Sequence, residues 1–237
     1  MKFSQLTRIY SNQSIEKNQT LTIANEHFHY LKSVMRLRRN EFFRIFNHID
    51  GEYMAKIQEI NPSSIIVDVI EQIKTPHSEN NLTLAICIIK YDPMVEAIKA
   101  AIQLGATRII PIISCRVQLK KINADKINKV ILNATEQSER LKPAILCSEM
   151  NLEELLNMKD IEQLIVAIEN EDEHNIISKL KIRSCPAILI GPEGGFTDEE
   201  IQLIKSYEHV NSISLGATVL RSETSATASI ACVQMMR

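Results

Sequence analysis

Apolar and polar positions follow two different rhythms along this chain. Up to residue 72 the apolar positions come in short, alternating runs: EFFRIFNH (41–48), EYMAKIQEI (52–60) and SIIVDVI (64–70). Asp50-Gly51 and Asn61-Pro62-Ser63 separate them. Such residues turn a chain because Gly accepts positive φ, Pro presets φ, and Asp or Asn bonds its own backbone. Ahead of these runs, Asn25 to Met35 carries a short helical pattern. Short strands joined by tight turns predict a small antiparallel sheet or barrel over residues 1–72. KTPHSENN (74–81) is polar, contains a proline and has no period, so residues 73–81 read as a linker.

From Leu82 strand and helix periods alternate. LTLAICIIK (82–90) reads as a buried strand. Pro93 to Leu104 then repeats apolar residues at helical spacing, with Gly105 placed to close the helix. RIIPII (108–113) is a second strand, and NADKINKVILNATEQSER (123–140) a helix that Pro143 ends. AIL (144–146) makes a short strand and LEELLNM (152–158) a short helix. QLIVAI (163–168), AILI (187–190) and SISL (212–215) complete the strands, and a last helix starts near Glu223. Successive strand–helix units predict a mostly parallel sheet with helices on both faces. The expected class is α/β, with the barrel over 1–72 and an α/β domain over 82–237.

Composition narrows the picture. The 237 residues are 45% hydrophobic and 24% charged, as in ordinary water-soluble domains. The net charge of −2 means that any nucleic-acid surface must be a local patch. No apolar run approaches the ~20 residues of a membrane helix, and MKFSQLTRIY has no signal-peptide core, so a cytoplasmic protein with no membrane partner is expected. Five scattered cysteines without a CxxC pair read as reduced core thiols, and no metal is expected. His27 and His29 lie two apart without further partners at metal spacing.

Four of the six glycines (Gly191, Gly194, Gly195, Gly216) fall between Ile188 and Ala226. A glycine-poor chain spends glycine where the backbone must turn or lie against a ligand. The runs AILI and SISL each lead into such a loop, GPEGGF and LGATVLRSETSA, and each loop precedes a helical segment. Loops of this kind build pockets at the carboxyl ends of parallel strands. Thr197 and Glu200 have capping-box spacing. A helix start favours anions, yet Glu193, Asp198, Glu199 and Glu200 crowd this one. A cationic guest, or a neutral base and ribose, suits it better than phosphate. Acids in a first turn also serve as plain dipole compensation.

Three further groups could carry chemistry. Lys32, Arg36, Arg38, Arg39 and Arg44 fall in thirteen residues whose one acid is Glu41, interleaved with Phe42 and Phe43 and preceded by Phe28 and Tyr30. The pattern suits phosphate contacts and base stacking, with Val34, Met35 and Leu37 expected to pack inward. The bland alternative is a solvated helix end. In NATEQSER (133–140), Glu136, Gln137 and Arg140 share a helix face if the helix continues. Arg221, beside a glycine loop and a helix start, is a donor fork able to stabilise charge developing on an oxygen, or a salt-bridge partner for Glu193. GxSxG, GxGxxG and the P-loop pattern are absent, which removes serine hydrolases of that type and common nucleotide-binding classes.

GPEGGFTDEE, LGATVLRSET and EQSER together resemble the signature blocks of the bacterial 16S ribosomal RNA uridine-N3 methyltransferases of the SPOUT superfamily. HYLKSVMRL resembles the family's opening block, and the run from Lys90 through Leu104-Gly105 to Arg116 its next, so the likeness spans nearly the whole chain. Departures are Glu139, where the family usually has a small residue and often glycine, Gln103 for a usual glutamate, and Ala217, Thr218 and Val219. The resemblance implies an N-terminal PUA-like barrel for RNA and a C-terminal SPOUT-type α/β methyltransferase domain with a trefoil knot. It implies S-adenosylmethionine as cofactor, 16S rRNA within the small subunit as substrate, and a homodimer. Arg221 and Glu193 are the expected catalytic residues. Gly191, Glu193, Gly194, Leu215, Gly216, Leu220 and Thr224 are expected at the cofactor, and Lys32, Arg36, Arg38, Arg39, Arg116 and Arg140 at the RNA. Two other readings stay open: a non-catalytic RNA-binding or ribosome-assembly protein, and a SPOUT methyltransferase acting on another rRNA or a tRNA position.

Overall fold

The computed structural model describes residues 6–168 and 180–237. The chain forms two compact units, Met1–Ser78 with Glu139–Lys142, and Glu79–Ser138 with Pro143–Arg237.

The first unit is a five-stranded sheet built from β1 (Arg8–Tyr10), β2 (Thr20–Ala24), β3 (Phe42–Asn47), β4 (Gly51–Ile60) and β5 (Ser64–Lys74), in the order β1-β3-β4-β5-β2. All pairs are antiparallel except β1 with β3. Period-2 alternation sends Ile9, Leu21, Ile23, Phe43, Ile45, Ala55, Ile57, Ile65, Val67 and Val69 into one core. Gly51 (φ 97°) makes the β3–β4 turn, where the Asn47 side-chain oxygen accepts from the backbone N–H of Ile49 and Asp50. A Cβ at Gly51 would lie 2.3 Å from the Lys74 carbonyl, so this turn requires glycine.

The helical pattern over Asn25 to Met35 is two pieces: α1 (Asn25–His29), then a π-helical turn (Tyr30–Val34) closed by Met35 N–H to the Tyr30 carbonyl at 2.9 Å. The wider turn rotates the following side chains out of α-helical register. Leu31 is buried and Leu37 half-buried, whereas Val34 (60%) and Met35 (41%) face solvent, contrary to the inward packing expected of them.

Arg44 also departs from expectation. It leaves the basic patch and is buried in an ion-pair network: Arg8 Nε to Glu52 Oε1 at 2.7 Å, Arg44 Nη1 to the same oxygen at 3.3 Å, and Arg44 Nη2 to Glu139 Oε1 at 3.0 Å. Arg8 also donates to the Arg140 carbonyl (2.8 Å) and lies over the Phe46 ring (3.7 Å to its centroid), while Lys74 donates to the Glu139 carbonyl (2.9 Å). Glu139 has φ 58°, a left-handed conformation that glycine adopts without cost.

The second unit contains β6 (Thr83–Cys87), α2 (Tyr91–Gln103), β7 (Arg108–Ile113), α3 (Ala124–Gln137), β8 (Ile145–Leu146), β9 (Met150–Asn151), α4 (Leu152–Leu156), β10 (Gln163–Ala167), β11 (Pro186–Ile190), α5 (Asp198–Lys205), β12 (Val210–Ile213) and α6 (Ser222–Met235). The sheet runs β12-β10-β11-β6-β7-β8, with β9 also paired to β7, and every pair is parallel. Leu84, Ile86, Ile109, Ile165, Ile188 and Ile190 point to α2, α3 and α6. Their neighbours Ala85, Ile110, Leu164, Val166, Ala187 and Leu189 point to the side of α4 and α5. Strands apolar on both faces are what a doubly covered parallel sheet requires.

Gly105, with φ 95°, closes α2 as expected. The helix expected through Arg140 instead ends at Gln137, where the Ser138 hydroxyl turns back to the Ala134 carbonyl at 2.7 Å. Glu136, Gln137 and Arg140 therefore do not share a helix face.

Candidate active site

The parallel sheet ends in loops, and the glycine-rich pair sits at the carboxyl ends of β10, β11 and β12. Ala167 is level with Ile190 and with Ile213, so these three strands stop together. A cleft of about 250 Å³ opens there. Ile168, Ile190, Phe196, Ile201 and Leu220 supply apolar walls, and Asp198, Ser222 and Ser225 the polar groups, beside bare backbone at Gly191, Gly194 and Gly195.

Local chemistry shapes each part. Thr197 caps α5: its Oγ1 accepts from Glu200 N–H at 3.2 Å, and Glu200 Oε2 accepts from Thr197 N–H at 2.9 Å, the expected capping box. Glu200 is buried, and its other oxygen accepts from Cys115 N–H at 2.8 Å, which ties the loop after β7 to this helix start. The acidic crowding thus divides. Glu200 serves the fold and Glu199 is exposed, its carboxyl held below the usual range by its own N–H and the Thr197 hydroxyl. Of the four acids only Asp198 lines the cleft.

Ser222 opens α6 and donates to the Gly191 carbonyl at 3.0 Å, pinning one glycine loop to the other. A Cβ at Gly191 would sit 3.0 Å from the Phe196 ring, so the ring lies directly on bare backbone. Gly195 has φ 67°, and a Cβ there would meet nothing within 4 Å. Arg116, expected at RNA, lines the cleft, and its Nη1 donates to the carbonyls of Gly194 (2.7 Å) and Phe196 (3.2 Å). The structure therefore uses it to hold the first glycine loop.

Of the residues expected at a cofactor, Gly191, Gly194 and Leu220 line the cleft. Glu193 lines a neighbouring cavity, and Leu215, Gly216 and Thr224 line neither. Arg221 is the N-cap residue of α6, between cleft residues Leu220 and Ser222; it is exposed, and no ion pair joins it to Glu193. Lys32, Arg36, Arg38 and Arg39 are exposed in the first unit around Tyr30, Val34 and Met35, and Arg140 is half-buried. Sequence reasoning missed Phe196, Ser222 and Ser225. The one available signal was their adjacency to the motif glycines and to Arg221.

Apolar walls, hydroxyls, bare glycine backbone and a single carboxylate form a donor set that fits a neutral base and ribose carrying a positive centre such as a sulfonium. Among the described residues no three His, Cys, Asp or Glu side chains cluster as a metal site, and no helix is long and apolar enough to cross a membrane.

Comparison with known proteins agrees with this architecture. Residues 76–234 match the family model described as RNA methyltransferase domain, and residues 23–70 that of the RNA methyltransferase PUA domain. The ribosomal RNA small subunit methyltransferase E of Rickettsia conorii is 40% identical over 233 residues, covering 97% of this chain and 95% of that protein. A methyltransferase of Legionella pneumophila, solved with the bound cofactor SAM, superimposes with a TM-score of 0.87 at 26% identity, covering 98% of each chain. The ribosomal RNA small subunit methyltransferase E of Neisseria gonorrhoeae, bound to S-adenosyl methionine, shares the fold with the same TM-score at 24% identity and the same coverage. The fold is therefore the expected one, a PUA-like N-terminal unit and a SPOUT-type α/β methyltransferase unit. The expected trefoil knot stays an expectation, since residues 169–179, between β10 and β11, lie outside the described residues. With 40% identity over 97% of its length and a family model matched over residues 76–234, the chain belongs to the ribosomal RNA small subunit methyltransferase E family of RNA methyltransferases.

Proposed function

We propose that this protein methylates N3 of a specific uridine in 16S ribosomal RNA, with S-adenosylmethionine as methyl donor. The observation that carries the reading is the cleft at the ends of β10 and β11, where two glycine loops meet through Ser222 and Gly191 in a chain of this family. The cofactor supplies an electrophilic methyl group without a metal. Gly191, Gly194 and Leu220, which line the cleft, would hold it, with Asp198 as the carboxylate of the same lining. Leu215 and Gly216 belong to the second loop, and Thr224 to the first turn of α6 between the cleft residues Ser222 and Ser225. Phe196 and the isoleucines exclude water, which strengthens electrostatic interactions within the cleft.

The protein's task is alignment, and fixing two reactants in line supplies roughly 7–11 kcal/mol of the barrier reduction. Arg221, whose guanidinium makes no hydrogen bond or ion pair among the described residues, is assigned to the negative charge that spreads onto the uracil carbonyl oxygens once N3 loses its proton. It stays protonated and is no base. Lys32, Arg36, Arg38 and Arg39 bind RNA phosphates. The substrate class implies cytoplasmic action on the small subunit, and the family resemblance implies a homodimer.

Mass spectrometry of 16S rRNA from cells with and without the protein tests the reading, together with calorimetry of S-adenosylmethionine binding. Loss of one N3-methyluridine on deletion is the expected outcome. Cofactor binding without any change in rRNA modification would point to a transfer RNA or other target. No cofactor binding would favour a non-catalytic RNA-binding or assembly role. Arg221→Ala is expected to abolish turnover while the cofactor still binds, and full activity in that variant would remove Arg221 from the mechanism.

A further inference from the structure

A second cavity, of about 150 Å³, shares Arg116, Pro192 and Gly194 with the larger cleft. Ile88, Ile89 and Pro192 line it and are buried, so they form an apolar floor. Lys90, Gln118 and Glu193 line it and are exposed, and none of these three side chains makes a hydrogen bond or ion pair among the described residues. An apolar floor with an uncommitted polar rim suits a planar heterocycle, which buries its faces and presents a hydrogen-bonding edge.

The rim chemistry selects among heterocycles. Glu193 brings acceptors only, Lys90 brings donors only, and Gln118 brings both. Uracil presents one donor, N3–H, flanked by two carbonyl acceptors. One carboxylate between donors is the complement of that edge. Cytosine presents a lone pair at N3, which a carboxylate repels. We propose that this smaller cavity receives the target uracil, with the Glu193 carboxylate accepting from N3–H and Lys90 and Gln118 donating to the two carbonyl oxygens. The proposal rests on the uridine reading above and adds the group that takes the proton. The N3–H bond breaks and a carboxylic O–H forms on Glu193. The electron pair stays on N3, and its charge delocalises onto the two carbonyl oxygens that Lys90 and Gln118 face, with the Arg221 guanidinium of the functional reading as the further positive charge. The two cavities share Arg116, Pro192 and Gly194, so a base in the smaller one is adjacent to a cofactor in the larger.

The test is a ligand-observed NMR titration of the full chain, saturated with S-adenosylhomocysteine, with uridine, N3-methyluridine and cytidine 5′-monophosphates. Uridine monophosphate is expected to bind about ten-fold or more tightly than the other two, as for loss of a hydrogen bond to a charged group. Glu193→Gln should erase that preference, and Lys90→Ala and Gln118→Ala should weaken uridine monophosphate, with cofactor affinity unchanged in all three. Equal affinities for the three nucleotides, no binding of uridine monophosphate, or a loss of cofactor affinity in Glu193→Gln would each overturn the assignment. Circular dichroism and cofactor binding show that each variant is folded. If the wild-type protein binds cofactor and methylates uridine yet treats the nucleotides alike, the cavity assignment alone fails. If it binds no cofactor, the functional reading fails first.

Discussion

Arg116 separates two physical accounts of this site, and replacing it decides between them. The resemblance put it at RNA. In the folded chain its Nη1 donates to Gly194 O at 2.7 Å and Phe196 O at 3.2 Å, so its attachment is to the glycine loop that walls the larger cleft. A net hydrogen bond contributes ~0.5–1.5 kcal/mol, with those to charged groups higher. Arg116 is exposed and one of its bonds is long, so solvent holds the pair to about 1–2 kcal/mol in total. If cofactor binding requires the loop as the arginine holds it, Arg116→Ala weakens S-adenosylmethionine by roughly 5- to 30-fold, since 1.4 kcal/mol is ten-fold. Arg116→Lys keeps the charge but replaces a planar fork by a rotating ammonium, and should fall between wild type and Ala. Isothermal titration calorimetry with the cofactor gives the first quantity. The salt dependence of RNA binding gives the second, where loss of a phosphate contact lowers the slope by about 0.7–0.9. An unchanged cofactor affinity with a reduced salt slope would refute the loop-holding account and return Arg116 to the RNA.

Glu52 is 2% exposed, accepts from Arg8 and is ion-paired with Arg44. Breaking such a pair leaves buried charge uncompensated, so Glu52→Gln should destabilise the first unit by ~3–5 kcal/mol, read as faster hydrogen exchange in its strands. Arg36→Gly, which suits the left-handed φ of 55° at that position, and Arg38→Ala should each lower the RNA salt slope by about 0.7–0.9 without changing cofactor affinity; an unchanged slope counts against the patch. His209 is held below the usual imidazole range by burial first, then by the charges of Arg183 and Lys159. Its neutral form therefore stabilises the fold above ~6.5, the unfolded value. That contribution disappears as pH falls through the lower folded value, because the unfolded chain binds the proton first. Urea unfolding across this range should show a positive slope of stability with pH that His209→Gln reduces.

Local pattern determined much of this protein. Alternating runs located β3 to β5 and short apolar runs β6, β7 and β10 to β12, Gly105 marked the end of α2, and Thr197 with Glu200 marked the start of α5. Each is set by interactions within about four residues, the range over which caps, turns and hydrophobic faces operate. The paired glycine loops were equally legible, since a chain with six glycines concentrates them where its backbone must be bare.

Tertiary structure alone decided the rest. RIY and TLTIA became β1 and β2 because partners elsewhere in the sheet recruited them. One π-helical turn moved Val34 and Met35 into solvent. Arg44 meets Glu139 across 95 positions, and Arg116 meets Gly194 across 78. A cation in sequence is only a charge; which carbonyl or carboxylate it reaches follows from strand order and register, which bring distant segments within 3 Å of one another. Sequence therefore located the glycine loops that line the cleft, and the fold decided which charged residues hold those loops and which stay exposed beside them.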